Sequence, residues 1–331
     1  MNPLFAASPI SPESALLSRS AEAGLHMALI ESGVRSGDHV LAPALASVAL
    51  AGALVRAGAD PVLVDVDPSN WLMDLDLMEE FLMGHTIVNE RDELILRKTG
   101  KAIRAVVAVH LNGNPVDMNQ LRFIAHRFYL KVIEDVSEAT GSFYQGRPVG
   151  VYGDLGVFSL DVHPSGYDEK GALLISRDEQ AMAALPQHPL LSRYPYEFHL
   201  VRISLEQLPA LRAASVQSKA FLAFVHQAFH QLPDLHWQQT LPEAEPAFQT
   251  LSFSCSRARE LRRHLAQAEI LTTTFAPPLH QLPAFRRSTF IRRADHATPL
   301  FEEVIRIPGV ANQEETEWQE LAKTIWAFFK V

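Results

Sequence analysis

The sequence predicts an α/β domain built on a mainly parallel sheet, followed by a small C-terminal α+β domain. Three observations carry that prediction. Short β-branched runs alternate with helical patterns through the first half of the chain, and the runs are apolar from end to end. After about Arg177 the alternation gives way to long helical stretches. Strand and helix in alternation argue a parallel sheet with helices on both faces. Strands buried on both faces read as continuous apolar runs rather than alternating ones.

The strand candidates are "PVLVDVD" (61–67), "AIRAVVAVH" (102–110), "LKVIEDV" (130–136), "LGVFSL" (155–160) and "ALLIS" (172–176). Between them, "DMNQLRFIAHRFY" opens on Asp117, a good N-cap, and continues with apolar residues at three- and four-residue spacing. The polar stretch "MGHTIVNERDELILRKTGK" (83–101) interrupts this rhythm and reads as a surface insertion or hairpin. The large domain is assigned to residues 1–210, with a short N-terminal lead, and the small one to 211–331. The latter holds the helix "LRAASVQSKAFLAFVHQAFHQL", the segment "PAFQTLSFSCS", the helix "RARELRRHLAQAEI", the loop "TTTFAPPLHQLPAF" and the amphipathic "EETEWQELAKTIWAFF".

Composition narrows the function classes. The chain has 331 residues, 47% of them hydrophobic and 20% charged, enough to bury a sizeable core. A net charge of -9 without a basic cluster gives no footprint for nucleic acid. The single cysteine, Cys255, excludes an internal disulfide and fits a reducing compartment. The start "MNPLFAASPISPES" lacks a basic n-region and holds three prolines, unlike a secretory signal. No apolar run reaches the length of a membrane span, so a cytoplasmic location is expected.

Several stretches together resemble the nucleotide-sugar aminotransferases of the DegT/StrS type. These are "SGDHVLAPALASVALAGALVRAGADPVLVDVDP", "AVVAVHLNGNPVDMNQLRFIAHRFYLKVIEDVSEATGSFYQGRPVGVYGDLGVFSL", and "APPLHQLPAF" with the terminal helix. The resemblance spans roughly residues 15 to 331. It implies the fold of pyridoxal-phosphate-dependent transferases, the aspartate-aminotransferase-like fold type I, and a homodimer with active sites at the subunit interface. It also implies that Asp135, ending the "IED" strand, faces the pyridine nitrogen of the cofactor. Glu138 stands near the ring oxygen, where the family has a glutamine, and Ser159 at a phosphate contact.

Other family positions have changed. The phosphate cradle, a Ser-Gly-Thr turn opening a helix, matches Ser20, Ala21 and Glu22. A carboxylate ~4 Å from a phosphate repels it by roughly 4 kcal/mol at an effective dielectric of about 20, which is about a thousandfold in affinity. As a structural residue, Glu22 suits a first helical turn. The ring-stacking aromatic matches Ser47, and an asparagine reaching a phosphate across the dimer matches Leu200. The Schiff-base lysine position falls on Pro164, beside His163, while Lys170 matches a later glycine. Transamination needs an amine that forms an imine. Histidine can shuttle a proton but cannot form one, although sugar 3-dehydratases of this resemblance do use a histidine there.

The remaining histidines are weighed individually. His226 and His230 lie at i and i+4 on one helix, a spacing compatible with a metal, but no third ligand is evident. By resemblance, His110 and His280 line the substrate pocket. Three readings stay open. In the first, the chain is a degenerate homologue with no bound cofactor, acting as a binding or partner protein. In the second, it is an active pyridoxal- or pyridoxamine-phosphate enzyme on a nucleotide-linked keto sugar, using His163. In the third, it is a cofactor-free enzyme using Asp135, Glu138 and His163.

Overall fold

The structure, a computed structural model, describes residues 15–159, 171–176, 178–185, 188, 199–201, 208–232, 234–248, 250–308 and 314–330. The chain opens with β1 (Ala15–Ser18), α1 (Ala21–Glu31), β2 (His39–Pro43), α2 (Val48–Ala57), β3 (Asp60–Val64) and α3 (Leu75–His85). A hairpin, β4 (Thr86–Val88) and β5 (Leu94–Leu96), precedes the long strand β6 (Lys101–Val109), α4 (Met118–Arg127) and β7 (Lys131–Asp135). Then come β8 (Phe143–Tyr144), β9 (Arg147–Pro148), β10 (Leu155–Ser159), β11 (Ala172–Ser176), α5 (Glu179–Ala184), β12 (His199–Val201) and α6 (Leu208–Phe229). The C-terminal part adds β13 (Leu235–Trp237), β14 (Ala244–Glu245), β15 (Thr250–Cys255), α7 (Ala258–Gln267), β16 (Thr289–Ile291), α8 (Ala297–Glu303), β17 (Val304–Pro308) and α9 (Glu315–Phe329).

Among the described residues the main sheet runs β12-β1-β11-β10-β7-β6-β2-β3-β16, with the β4–β5 hairpin joined to β6 through β5. From β10 to β16 every neighbouring pair is parallel. The β10–β11, β11–β1 and β1–β12 pairs are antiparallel. The five sequence-predicted strands all lie in this sheet, and the polar insertion is the hairpin. Other members lie outside those runs, among them β2 within the resembling stretch that begins "SGDHVLAP". β1 pairs with β11 and β12 lies beyond β1 at the edge, and β16, only three residues long, extends the opposite edge from far along the chain.

Local chemistry explains where the helices start. Ser20 accepts the Ala23 N–H at 3.2 Å ahead of α1, and Ser47 accepts that of Leu50 at 3.1 Å ahead of α2. Asp117 accepts the N–H groups of Asn119 and Gln120, both at 3.0 Å, and so caps α4 as its sequence position predicts. Gly58, at φ 64°, ends α2 in the left-handed conformation that a glycine adopts without strain.

One apolar cluster fills both faces of the main sheet, with Val62, Leu63, Val106, Val107 and Ile133 at its centre. A second gathers Phe221, Phe229, Phe253, Leu261, Ile305, Trp318 and Ile325 from α6, α7, α9 and the small sheet β13-β15-β17.

Candidate functional site at the carboxyl edge of the main sheet

Ligands of open parallel sheets sit beyond the carboxyl ends of the strands. Here those ends are aligned by register: Val109 of β6 pairs with Asp135 of β7, which pairs with Val157 of β10. Asp135 is therefore delivered to the centre of the edge, where it is buried. Its Oδ1 accepts the Ser137 N–H at 3.0 Å and the Ser137 hydroxyl at 2.5 Å, and its Oδ2 accepts the Ser47 hydroxyl at 3.3 Å. Burial, reinforced by the nearby Glu138 charge, holds the Asp135 carboxyl above its ordinary range, although the serine hydrogen bonds pull the other way.

Glu138, three residues on, has both oxygens engaged. Oε2 accepts the Asn112 N–H at 2.8 Å, and Oε1 accepts from Arg306 Nη1 at 3.2 Å. Asn112 sits in the "LNGNP" turn at φ 59°, in line with the positive φ expected of that sequence. Beside Asn112 opens a cavity of about 450 Å³ whose walls include Trp237, Gln238, Thr250, Ser252 and His226. Ser159 is buried at the end of β10, two residues beyond Val157 on the same edge.

Two of the sequence-predicted site residues have buried or charged partners of their own. His110 is the first. Its side chain is fully buried, with Nδ1 accepting the Val116 N–H at 3.0 Å and Nε2 facing Glu134 Oε2 at 3.1 Å. Glu134 also accepts the N–H groups of Gly150, Tyr152 and Gly153 at 2.6, 2.7 and 2.5 Å. Successive strand residues point to opposite faces, so the partner of His110 lies on the far side of β7 from the Asp135 carboxylate. His110 is thereby part of a buried hydrogen-bond network that shapes the strand end from behind.

Glu22 is the second. Its carboxylate is paired with Arg56 Nε and lies over Gly52, within 2.9 Å of where a Cβ there would stand. It is thus drawn along α2 and carries its own counter-cation, so the repulsion expected from an unpaired acid is an upper bound. His26, one turn on and buried, is held neutral, its pKa lowered to about 4 by burial first and then by Arg56. Ser20 and Ala21 stand where expected at the start of α1, with the Ser20 hydroxyl already engaged as the cap.

His280 stacks on Phe290, ring centroids 4.1 Å apart, and its Nε2 lies 3.2 Å from Thr298 Oγ1. Burial holds its imidazole below its ordinary pKa, so it is neutral near pH 7. The Leu279 N–H bonds the Ala44 carbonyl at 2.8 Å, anchoring this turn to the loop that leads into Ser47. Among the described residues His280 does not contact Asp135 or Glu138. His163, Pro164 and Lys170 lie outside the described residues. Leu200 is described as part of β12 without its side chain. No group of three or more metal-ligating side chains occurs among the described residues, His226 and His230 included. The Cys255 thiol is buried beside Asp234 and pushed up to about 12, chiefly by burial, which leaves it inert. No described helix is long and apolar enough to cross a membrane.

Sequence reasoning missed Ser137, Asn112, Thr250, Arg306 and Arg56. Ser137 was findable, because Asp-x-Ser after a strand is a common local turn. Arg306 showed only as a lone cation in the apolar run "VIRIP".

The chain has the fold of the pyridoxal-phosphate-dependent sugar aminotransferases, with a mainly parallel sheet and a small three-stranded one. The chain belongs to the DegT/DnrJ/EryC1/StrS aminotransferase family, whose profile matches residues 10–188 and 201–325. It is 28% identical over 282 residues to GDP-perosamine synthase of Escherichia coli O157:H7, covering 79% of this chain and 71% of that protein. Among solved structures it resembles a DegT DnrJ EryC1 StrS aminotransferase from Brucella abortus, with a TM-score of 0.78 and 19% identity over 95% of this chain and 85% of the other. It also resembles S. venezuelae DesV in complex with a ketimine intermediate, with a TM-score of 0.76 and 24% identity over 95% and 84% of the two chains.

Proposed function

We infer that the chain is a sugar-aminotransferase homologue that no longer works as a transaminase and that uses the inherited pocket for binding, beside a partner or a nucleotide-linked sugar. The observation that carries this reading is the Ser47–Asp135 hydrogen bond. The residue expected to stack on the cofactor ring has no π-face, and its hydroxyl is bonded to the carboxylate expected to face the ring nitrogen. Pyridoxal phosphate, the group the family implies, fits these residues poorly. Asp135 is retained, but the stacking surface is gone, and the Ser20 hydroxyl of the turn that should receive the phosphate is engaged as the helix cap. The lysine position matching Pro164 adds to the same conclusion from the sequence. A division at residues 1–210 and 211–331, a homodimer and a cytoplasmic location complete the proposal.

A second reading has one specific observation in its favour. The 28% identity to GDP-perosamine synthase covers most of both chains, and the carboxylate at Asp135 is kept. It describes an active enzyme on a nucleotide-linked keto sugar, with His163 moving the proton. Titration of the purified protein with pyridoxal phosphate, followed by absorbance, separates the two. Saturable uptake that survives dialysis supports the second reading, and none supports the first.

A further inference from the structure

The polar groups beside the pocket close into a ring that crosses from the main sheet to the small one. Arg306, on β17, donates from Nη1 to Glu138 at 3.2 Å and from Nη2 to Thr250 Oγ1 at 3.4 Å. The Thr250 hydroxyl, on β15, donates in turn to Asn112 Oδ1 at 2.7 Å, and the Asn112 N–H returns to Glu138 at 2.8 Å. Each hydrogen in this ring has one acceptor and none is shared, so the donor directions are consistent throughout. Two members stand at the carboxyl edge of the main sheet and two on the small sheet. Ser252 adds a second hydroxyl to Asn112 Oδ1 at 2.8 Å, and the Arg306 guanidinium lies over the Phe275 ring, 5.0 Å from its centroid.

We propose that Arg306 is a positioning residue for the pocket: with the Asn112 N–H it fixes both oxygens of Glu138 and ties the pocket to the small sheet. This rests on the reading that the chain binds its ligand around Asp135 and Glu138. Two consequences follow from the geometry. Each Glu138 oxygen already accepts one close donor, so a ligand's N–H or O–H is received most readily at Asp135 Oδ2, whose present donor is the longer Ser47 contact at 3.3 Å. A ligand that takes over the guanidinium's site on Glu138 Oε1 displaces Arg306. Doing so releases Thr250 and loosens the join to β15 and β17.

The test is amide hydrogen exchange at Asn112 in the full-length protein without added ligand, with the Val107 amide of the central strand β6 as the internal reference. Loss of one charge-assisted hydrogen bond is expected to speed Asn112 exchange about tenfold or more in Arg306→Met. Glu138→Gln, nearly isosteric, is expected to do the same, and the double variant to add little to either. Arg306→Lys, which keeps the cation, is expected to recover most of the protection. Val107 exchange stays unchanged throughout. Unaltered Asn112 exchange in either single variant, additive effects in the double, or Val107 rising in step would overturn the proposal. No cofactor or ligand enters the measurement, so its failure is distinguishable from failure of the absorbance titration.

Discussion

Ser47 and Asp135, 88 residues apart in sequence, are joined by a hydroxyl-to-carboxylate hydrogen bond of 3.3 Å at the carboxyl edge of the main sheet. The same hydroxyl oxygen accepts the Leu50 N–H, so one serine both starts α2 and closes over the buried acid. Ser47→Ala removes both interactions. Loss of an N-cap costs about 1 kcal/mol, and losing one hydrogen bond to a charged group adds roughly another 1–2 kcal/mol. Urea denaturation of the variant is expected to show a total near 2 kcal/mol, and an unchanged midpoint would remove Ser47 from the account of the site.

Asp135 makes a pH-dependent contribution whose sign is fixed by the direction of its shift. Its folded pKa lies above the ordinary value of 3.8, chiefly because burial penalises the charge. The folded state therefore holds a proton that the unfolded state releases. The contribution is fully present below pH 3.8 and is lost as pH rises through the folded pKa. Asp135→Asn, which cannot ionise, lacks this loss. The stability of the natural protein relative to Asp135→Asn should fall as pH is raised from 3.5 to 7. Denaturation curves of both proteins across that range test it, and a gap that is constant or widens in favour of Asp135 contradicts the shift.

Behind the strand, Glu134 accepts three main-chain N–H groups and faces His110. Glu134→Ala strands these donors in a buried setting, at about 1–3 kcal/mol for each one left unsatisfied. A loss of about 3 kcal/mol or more, or failure to fold, is expected from chemical denaturation. A loss below about 1 kcal/mol would mean that water or a rearranged loop supplies the acceptors.

Gly156 of β10 lies so close to the Gly150 carbonyl that a Cβ would overlap main-chain atoms, with no flexible side chain to yield. Gly156→Ala is expected to destabilise by roughly 2–3 kcal/mol, as overpacking does in a rigid core, and to lower the thermal midpoint measurably. Glu22→Gln is the contrasting case. The Glu22–Arg56 pair is 32% and 43% exposed at its two side chains, and exposed pairs contribute about 0–1 kcal/mol. Its removal should leave the thermal midpoint almost unchanged.

The legible part of this molecule was the part fixed locally. Continuous apolar runs placed the five strands from "PVLVDVD" to "ALLIS", and Asp117 marked the start of α4 because a cap needs only its own neighbours. Thr289–Ile291 was not legible as a member of the main sheet, since three residues carry no periodicity and the pairing with β3 spans more than two hundred positions. Asp135 was singled out by the family resemblance of the "IED" strand, since a strand-end carboxylate alone is common to many α/β proteins. Its partner Ser47 could be read as a helix start but not as a hydrogen-bond donor to that carboxylate. His110 was legible only in part for a related reason: its place at a strand end is visible in sequence, whereas its contact with Glu134 depends on which face each side chain takes. Arg306 and Glu138 are separated by 168 residues, and neither residue type nor spacing announces such a pair.

The most direct measurement is the absorbance of the purified full-length protein, before and after incubation with excess pyridoxal phosphate and dialysis, followed by borohydride reduction and mass analysis. A colourless protein that retains no cofactor and gains no reduced adduct is expected. A chromophore that persists through dialysis, or a reduced adduct on any residue of the pocket, would contradict the reading of this site as one that has given up its cofactor.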